Sequence, residues 1–231
     1  CLVTGRMYRA TVPFARELGF DTPIICYQGA AIIDPATDEV LAHTALQNDI
    51  VRELIEMTER DRMHLQLYRN DEYYCEGRNR FSDLYASLSM TQPVIVPSLR
   101  EAFAYSAATK AVIIADEPVA AQYADGLRTA LGDRANVTRS LPEFVEVLDP
   151  AVDKGAALRF VAGRLGVGMD ETVAIGDSWN DAPLLDAAGF AIAMGSAPPE
   201  LRARADAMVG DIAADGVSEA IEKYVLAAGQ R

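Results

Sequence analysis

Residues 173–193 read VAIGDSWNDAPLLDAAGFAIA: an apolar run, a glycine turn bearing Asp177, Asn180 and Asp181, a helical stretch and a second apolar run. Uninterrupted apolar runs on either side of a helix are the pattern of parallel strands buried on both faces, because a parallel pair needs a crossover connection and the crossover covers the sheet. The alternation extends in both directions. The spacing predicts a helix over Lys154 to Leu165, a strand over Thr172 to Ile175, a helix over Asp181 to Ala187 and a strand over Phe190 to Ala193. A short helix over Pro198 to Ala205, a short strand over Ala207 to Val209 and a closing helix over Val217 to Leu226 follow.

The beginning of the chain shows the same parallel-sheet grammar. Leu2 and Val3 run into Thr4-Gly5-Arg6, which suits a buried strand whose carboxyl end meets a loop, the position at which open α/β sheets bind ligands. Thr11 and Pro13 open a short helix that carries Val12, Phe14, Ala15 and Leu18 inward and stops at Gly19. Pro23 to Tyr27 is a second strand, and Ala31 to Ala42 is a hairpin about the PATDE turn. From about Gln47 the pattern changes: helix, two alternating exposed-face strands (HLQLYR and EYYCE), a helix near Phe81 to Leu88, a strand at Ala111 to Ala115, a helix near Val119 to Leu131, and strands at Asn136 to Ser140 and Phe144 to Leu148. This α+β order, roughly αββαβαββ, marks an insertion, and the segments on either side of it are expected to share one sheet.

Composition bears on partners. With 21 Lys and Arg against 34 Asp and Glu, a formal net charge of -13 opposes a phosphate backbone, so no nucleic-acid partner is expected, although a site can still be locally positive. No stretch approaches the roughly 20 consecutive apolar residues of a membrane span, so no membrane partner is expected either. Three cysteines, Cys1, Cys26 and Cys75, in no metal-binding spacing, suit a reducing cytoplasm.

Three short motifs can carry chemistry. In GDSWND, oxygen ligands at a strand terminus suit Mg²⁺, and the helix N-terminus beside them suits an anion; Asp177 and Asp181 equally suit plain turn and cap roles. Asp153-Lys154-Gly155 opens a helix, so the ammonium can hold a phosphoryl oxygen or simply lie in solvent. Thr4-Gly5 offers a hydroxyl and an unencumbered N–H, and Arg6 either neutralises nearby anionic charge or pairs with surface carboxylates.

In order around an α+β insertion, strand-TGR, DKG and strand-GDxxND together resemble the haloacid dehalogenase (HAD) superfamily, in particular its Cof-type phosphatases with a type C2 cap. Ile25-Cys26-Tyr27-Gln28-Gly29-Ala30, Ala193-Met194-Gly195 with Ala197-Pro198, and Asp215-Gly216-Val217 add to the likeness, which runs the whole length. It implies a Rossmann-like parallel-sheet core over residues 1–46 and 147–231 and an α+β cap domain over 47–146. It implies an Mg²⁺-dependent phosphatase of small phosphorylated metabolites, of the sugar phosphate, flavin mononucleotide or pyridoxal phosphate type. Thr4 and Gly5 would then bind the transferring phosphoryl group, as would Lys154 and Asn180. Asp177 and Asp181 would be the metal residues, Asp177 as a direct Mg²⁺ ligand and Asp181 as an outer or auxiliary carboxylate, and Lys154 and Asp177 would be the catalytic pair.

The sequence departs from the family at Gln28, usually Asn, and at Ser196, where Asn is common after Met-Gly. The family's DxDGT motif, which carries nucleophile and general acid, does not occur in residues 1–231. It is expected upstream of Cys1, and the chain alone is expected to be inactive without it. A phosphomutase of the same superfamily and a non-catalytic phosphate- or nucleotide-binding module are the alternatives. Tyr73, Tyr74, Arg78, Arg80 and Phe81 are candidate cap-lining residues. His43, His64 and Met194 are expected to be structural. Oligomeric state is not legible.

Overall fold

Both patterns, the βα alternation at the ends and the α+β order in the middle, become elements in the computed structural model, which describes residues 1–226. The chain divides into two units, Cys1–Val152 and Asp153–Arg231.

The first unit opens with helix α1 (Tyr8–Glu17) and strands β1 (Ile24–Cys26), β2 (Ala31–Ile33) and β3 (Val40–His43), which pair antiparallel in that order. The strand expected at Leu2 and Val3 is reduced to one parallel bridge, Val3 to Ile25. Helix α1 begins at Tyr8, earlier than expected, and so buries Tyr8, Thr11, Val12 and Ala15 at helical spacing; Phe14 and Leu18 fall off that stripe and are exposed, contrary to expectation.

Next come α2 (Asn48–Asp61), β4 (His64–Arg69), β5 (Glu72–Cys75), α3 (Arg80–Ser89), β6 (Val94–Ile95), α4 (Leu99–Ala102), β7 (Lys110–Ile114), α5 (Glu117–Leu131), β8 (Asn136–Leu141) and β9 (Phe144–Leu148). The strands form one six-stranded sheet in the order β6-β5-β4-β7-β9-β8. Only β6 and α4 were not anticipated; both are short, and Pro93 and Pro97 flank β6.

The HLQLYR and EYYCE strands are not exposed-face strands. Leu65 and Leu67 on one face of β4 pack with Ile50, Leu54, Ala124 and Leu127 of α2 and α5. Tyr68 and Tyr73, on the other face, pack with Met7, Tyr8, Ile24 and Phe144, so residues 1–46 and the six-stranded sheet share a hydrophobic core. Alternation in these strands separates two buried surfaces. Polar tips on the second are satisfied locally, as where the Tyr68 hydroxyl donates to Gln66 Oε1 at 3.0 Å.

The second unit follows its expected order: α6 (Lys154–Leu165), β10 (Val173–Gly176), α7 (Ala182–Ala187), β11 (Phe190–Met194), α8 (Pro199–Arg202), β12 (Ala207–Val209) and α9 (Gly216–Ala220), continued by a π-helical turn over Ile221–Leu226. Strands β10, β11 and β12 pair parallel, and Ile192, Met194, Val209 and Ala220 form a core beside them, so Met194 is packing, as expected. Among the described residues no helix is long and apolar enough to cross a membrane, and all three cysteines are free thiols.

Candidate active site

The second unit gathers its motif residues at the carboxyl end of β10. Asp153 caps α6, its carboxylate accepting from the Ala156 N–H at 2.7 Å, which puts Lys154 in the first helical turn. Glycine at 155 permits α6 to lie against α7: a Cβ there would meet the Pro183 carbonyl oxygen at 2.1 Å. That approach buries Lys154, whose Nζ donates to Asp181 Oδ1 at 2.5 Å. The other carboxylate oxygen of Asp181 accepts from the peptide N–H groups of Asp177 and Ser178, both at 3.0 Å. Asp181 thus fixes the lysine and the GDxxND loop together, and Lys154 is not the solvated surface lysine its position alone would suggest. Asn180 is buried beside it, while Asp177 is solvent-exposed. Partial withdrawal from water and the nearby Asp181 charge push the Asp177 carboxyl above its ordinary range, with Lys154 pulling the other way.

In the first unit the Thr4–Arg6 loop is clamped by a turn of unusual backbone. Tyr27, Gln28 and Gly29 have φ of 53°, 62° and 106°, a left-handed run that L-residues adopt only under constraint. From this turn the Gln28 N–H donates to the Thr4 carbonyl and the Tyr27 N–H to the Arg6 carbonyl, each at 3.0 Å, while the Thr4 N–H donates to the Ile25 carbonyl at 2.8 Å. The Arg6 N–H donates to Thr4 Oγ1 at 3.1 Å. Position 5 must be glycine because a Cβ would meet Gln28 Nε2 at 2.2 Å. The Arg6 side chain faces solvent.

The sequence profile of the haloacid dehalogenase-like hydrolases matches residues 1–221. This chain belongs to that family. The pyridoxal phosphate phosphatase YbhA of Escherichia coli (strain K12) is 28% identical over 234 residues, covering 97% of this chain and 85% of that protein. A 5-amino-6-(5-phospho-D-ribitylamino)uracil phosphatase, YitU of Bacillus subtilis (strain 168), is 25% identical over 97% of this chain and 84% of its own length. Among solved structures, a haloacid dehalogenase-like hydrolase from Bacteroides thetaiotaomicron aligns with a TM-score of 0.83 and 28% identity, covering 96% of this chain and 85% of that one. The HAD fold, a parallel-sheet α/β core with a cap domain, is therefore the fold of this chain.

In this HAD family member Lys154, Asp177 and Asp181 are tied together in the second unit, and Thr4 and Arg6 flank Gly5 in one hydrogen-bonded loop of the first. Among the candidate cap-lining residues, Tyr73 is core packing, with its ring 4.9 Å from that of Tyr85. Arg80 and Phe81 line a cavity of about 560 Å³ together with His64 and Asn79. Burial depresses the His64 imidazole to about 4, and the amide groups of Gln66 and Asn79 lie 3.0 Å from its two ring nitrogens. No thiol competes as a nucleophile at Cys26, which burial pushes up to about 12.

The donor chemistry fits a magnesium ion. Asp181 pairs with Lys154, and the exposed Asp177 carboxylate lies within electrostatic reach of both. Among the described residues no group of three or more His, Cys, Asp or Glu is gathered into a cage. Mg²⁺ is ordinarily held by one or two carboxylates, with water and substrate phosphate completing its shell.

A further buried ion pair, Lys110 with Glu146, reaches the Thr4–Arg6 loop from the six-stranded sheet and is not foreseen in the sequence. No motif marks it.

Proposed function

We propose that this protein is an Mg²⁺-dependent, Cof-type phosphatase of small phosphorylated metabolites, working in a reducing cytoplasm. The observation that carries it is the Lys154–Asp181 ion pair beside exposed Asp177 at the carboxyl end of a parallel strand, where α/β sheets bind ligands. The activities of the pyridoxal phosphate and ribitylaminouracil phosphatase relatives support a substrate that joins one phosphate to a compact polar organic group. Residues 47–146 are the cap, and 1–46 with 147–231 the core.

Hydrolysis of a phosphate monoester requires a nucleophile at an anionic phosphorus while charge grows on the peripheral oxygens. In this reading Lys154 holds those oxygens with an ammonium that Asp181 keeps in one position, and Asn180 adds a neutral amide. Thr4 contributes its hydroxyl and Gly5 its N–H. Asp177 holds the metal; Asp181, with both oxygens engaged, supports the lysine and the loop. When bound, Mg²⁺ lowers the repulsion between an anionic nucleophile and the phosphoryl group. Residues 1–231 contain no DxDxT sequence, and none of the groups named here is assigned the role of nucleophile in an aspartyl-phosphate route.

A panel of phosphorylated metabolites assayed with the full-length protein tests this. Phosphate release that needs Mg²⁺ and falls at least about a hundredfold in Lys154→Ala is expected. Release unchanged by chelation or by that substitution would defeat the proposal.

A further inference from the structure

Lys110 and Glu146 lie on adjacent strands β7 and β9, both 2% exposed, with Nζ 2.5 Å from Oε2. Two charges buried this deeply are seldom kept for stability alone, since well-packed apolar residues of the same volume often serve equally well. Their remaining bonds lead to the Thr4–Arg6 loop. Lys110 Nζ donates to the Gly5 carbonyl at 2.8 Å, and its ammonium lies 4.9 Å from the centre of the Tyr68 ring. The other oxygen of Glu146 accepts from Gln28 Nε2 at 2.7 Å, and Gln28 is the side chain that lies on the Gly5 Cα.

The peptide joining Gly5 to Arg6 is therefore held at both ends: its carbonyl by Lys110, its N–H by Thr4 Oγ1. Two consequences follow. A flip of that peptide, which glycine would otherwise permit, would turn a carbonyl oxygen into the place where a phosphoryl oxygen is to be bound. The Thr4 oxygen, already an acceptor for the Arg6 N–H, is left to direct its own hydrogen elsewhere, toward an anion.

We propose that Lys110 and Glu146 are positioning residues for phosphate binding: the pair, with Gln28, locks the Gly5–Arg6 peptide so that Thr4 and Gly5 present donors and no acceptor to the phosphoryl group. The inference deepens the phosphatase reading and rests on it. It also gives a physical reason for Gln28 where the family usually has Asn, because the side chain spans from Gly5 to Glu146.

The experiment uses the full chain, ¹⁵N-labelled, with inorganic phosphate and Mg²⁺ as the probe. The double variant K110M/E146M conserves net charge and replaces the pair by apolar side chains of similar length, so its melting midpoint is expected to stay within about 5 °C of wild type. Its phosphate affinity is expected to fall about tenfold or more, as misplaced binding groups do. The phosphate-induced shifts of the Gly5 and Arg6 amide resonances should vanish with it. A folded double variant that binds phosphate within twofold of wild type, with those shifts intact, overturns the inference. If the double variant does not fold, E146Q supplies the same readouts, and a crystal of the unmodified protein with phosphate decides: a Gly5 carbonyl turned away from Lys110 overturns it. K154A separates the two levels. Loss of binding in K154A but not in K110M/E146M sinks only the positioning role, whereas wild-type protein that does not bind phosphate sinks the phosphatase reading and the positioning role together.

Discussion

The two units each bury one lysine–carboxylate pair at the same 2.5 Å separation, and the pairs differ in what surrounds them. Lys110–Glu146 is sealed between strands of a sheet packed on both faces, and its outward bonds go to a peptide carbonyl and a carboxamide. Lys154–Asp181 sits at a strand terminus next to an exposed carboxylate, and peptide N–H groups share the load on Asp181. The first arrangement is suited to fixing backbone and the second to meeting a ligand. Charge at a strand terminus and charge in a sheet interior meet different surroundings even when the pair separation is the same.

The sharpest way to break this symmetry is to remove one partner from each pair. Lys110→Met leaves Glu146 buried without its counterion and should destabilise the protein by about 3–5 kcal/mol, measured by urea denaturation; the double replacement should recover most of that loss. Lys154→Met should destabilise less, because two peptide N–H donors still satisfy Asp181. Equal losses at the two positions would mean that the two pairs depend on their counterions alike.

Asp177 supplies the next largest effect, confined to function. Its exposure predicts that Asp177→Ala leaves the unfolding midpoint nearly unchanged while lowering turnover of the full-length enzyme by about a hundredfold or more. Steady-state kinetics beside a thermal melt checks both halves.

Acidification should act on the sheet unit through His64. Burial depresses its pKa to about 4 in the folded chain against an ordinary 6.5, so the unfolded chain binds a proton first as pH falls. The Gln66 and Asn79 oxygens are already engaged, Gln66 with Tyr68 and Asn79 with the Phe81 and Ser82 N–H groups, so neither is turned to the ring to accept the second proton of an imidazolium. Stability present above pH 6.5 should be lost as pH falls toward 4, on the order of 2 kcal/mol, and denaturation of His64→Gln should show a shallower slope over that window.

The smallest effect belongs to the surface. Arg204 and Asp186 form an ion pair with both side chains about half exposed, so Arg204→Ala should cost about 0.5 kcal/mol at most in a chemical melt.

Legibility followed locality. The GDxxND loop is written in eight consecutive residues, strand, turn and helix start included, and the Asp153 cap, Lys154 and Gly155 are three neighbours. Each is recognisable because every contact that shapes it lies within a turn or two of chain. The two-faced burial of β4 is not legible, because alternation of apolar and polar side chains looks the same whether the second face meets water or other tyrosines. Phe14 and Leu18 read as inward in the sequence but are exposed, because α1 begins three residues earlier than the sequence suggests and its inward stripe runs through Tyr8, Thr11, Val12 and Ala15.

From the amino-acid order came the α/β class, the α+β order of the middle of the chain and the motif residues of both units, since propensity, capping and apolar periodicity act over short spans. Strand pairing decided the rest. Lys110 and Glu146 meet because β7 and β9 are neighbours, and Gln28 and Gly5 join them because a left-handed turn is held under the loop. A bond between residues scores of positions apart depends on the register of the whole sheet, which no local stretch of sequence contains.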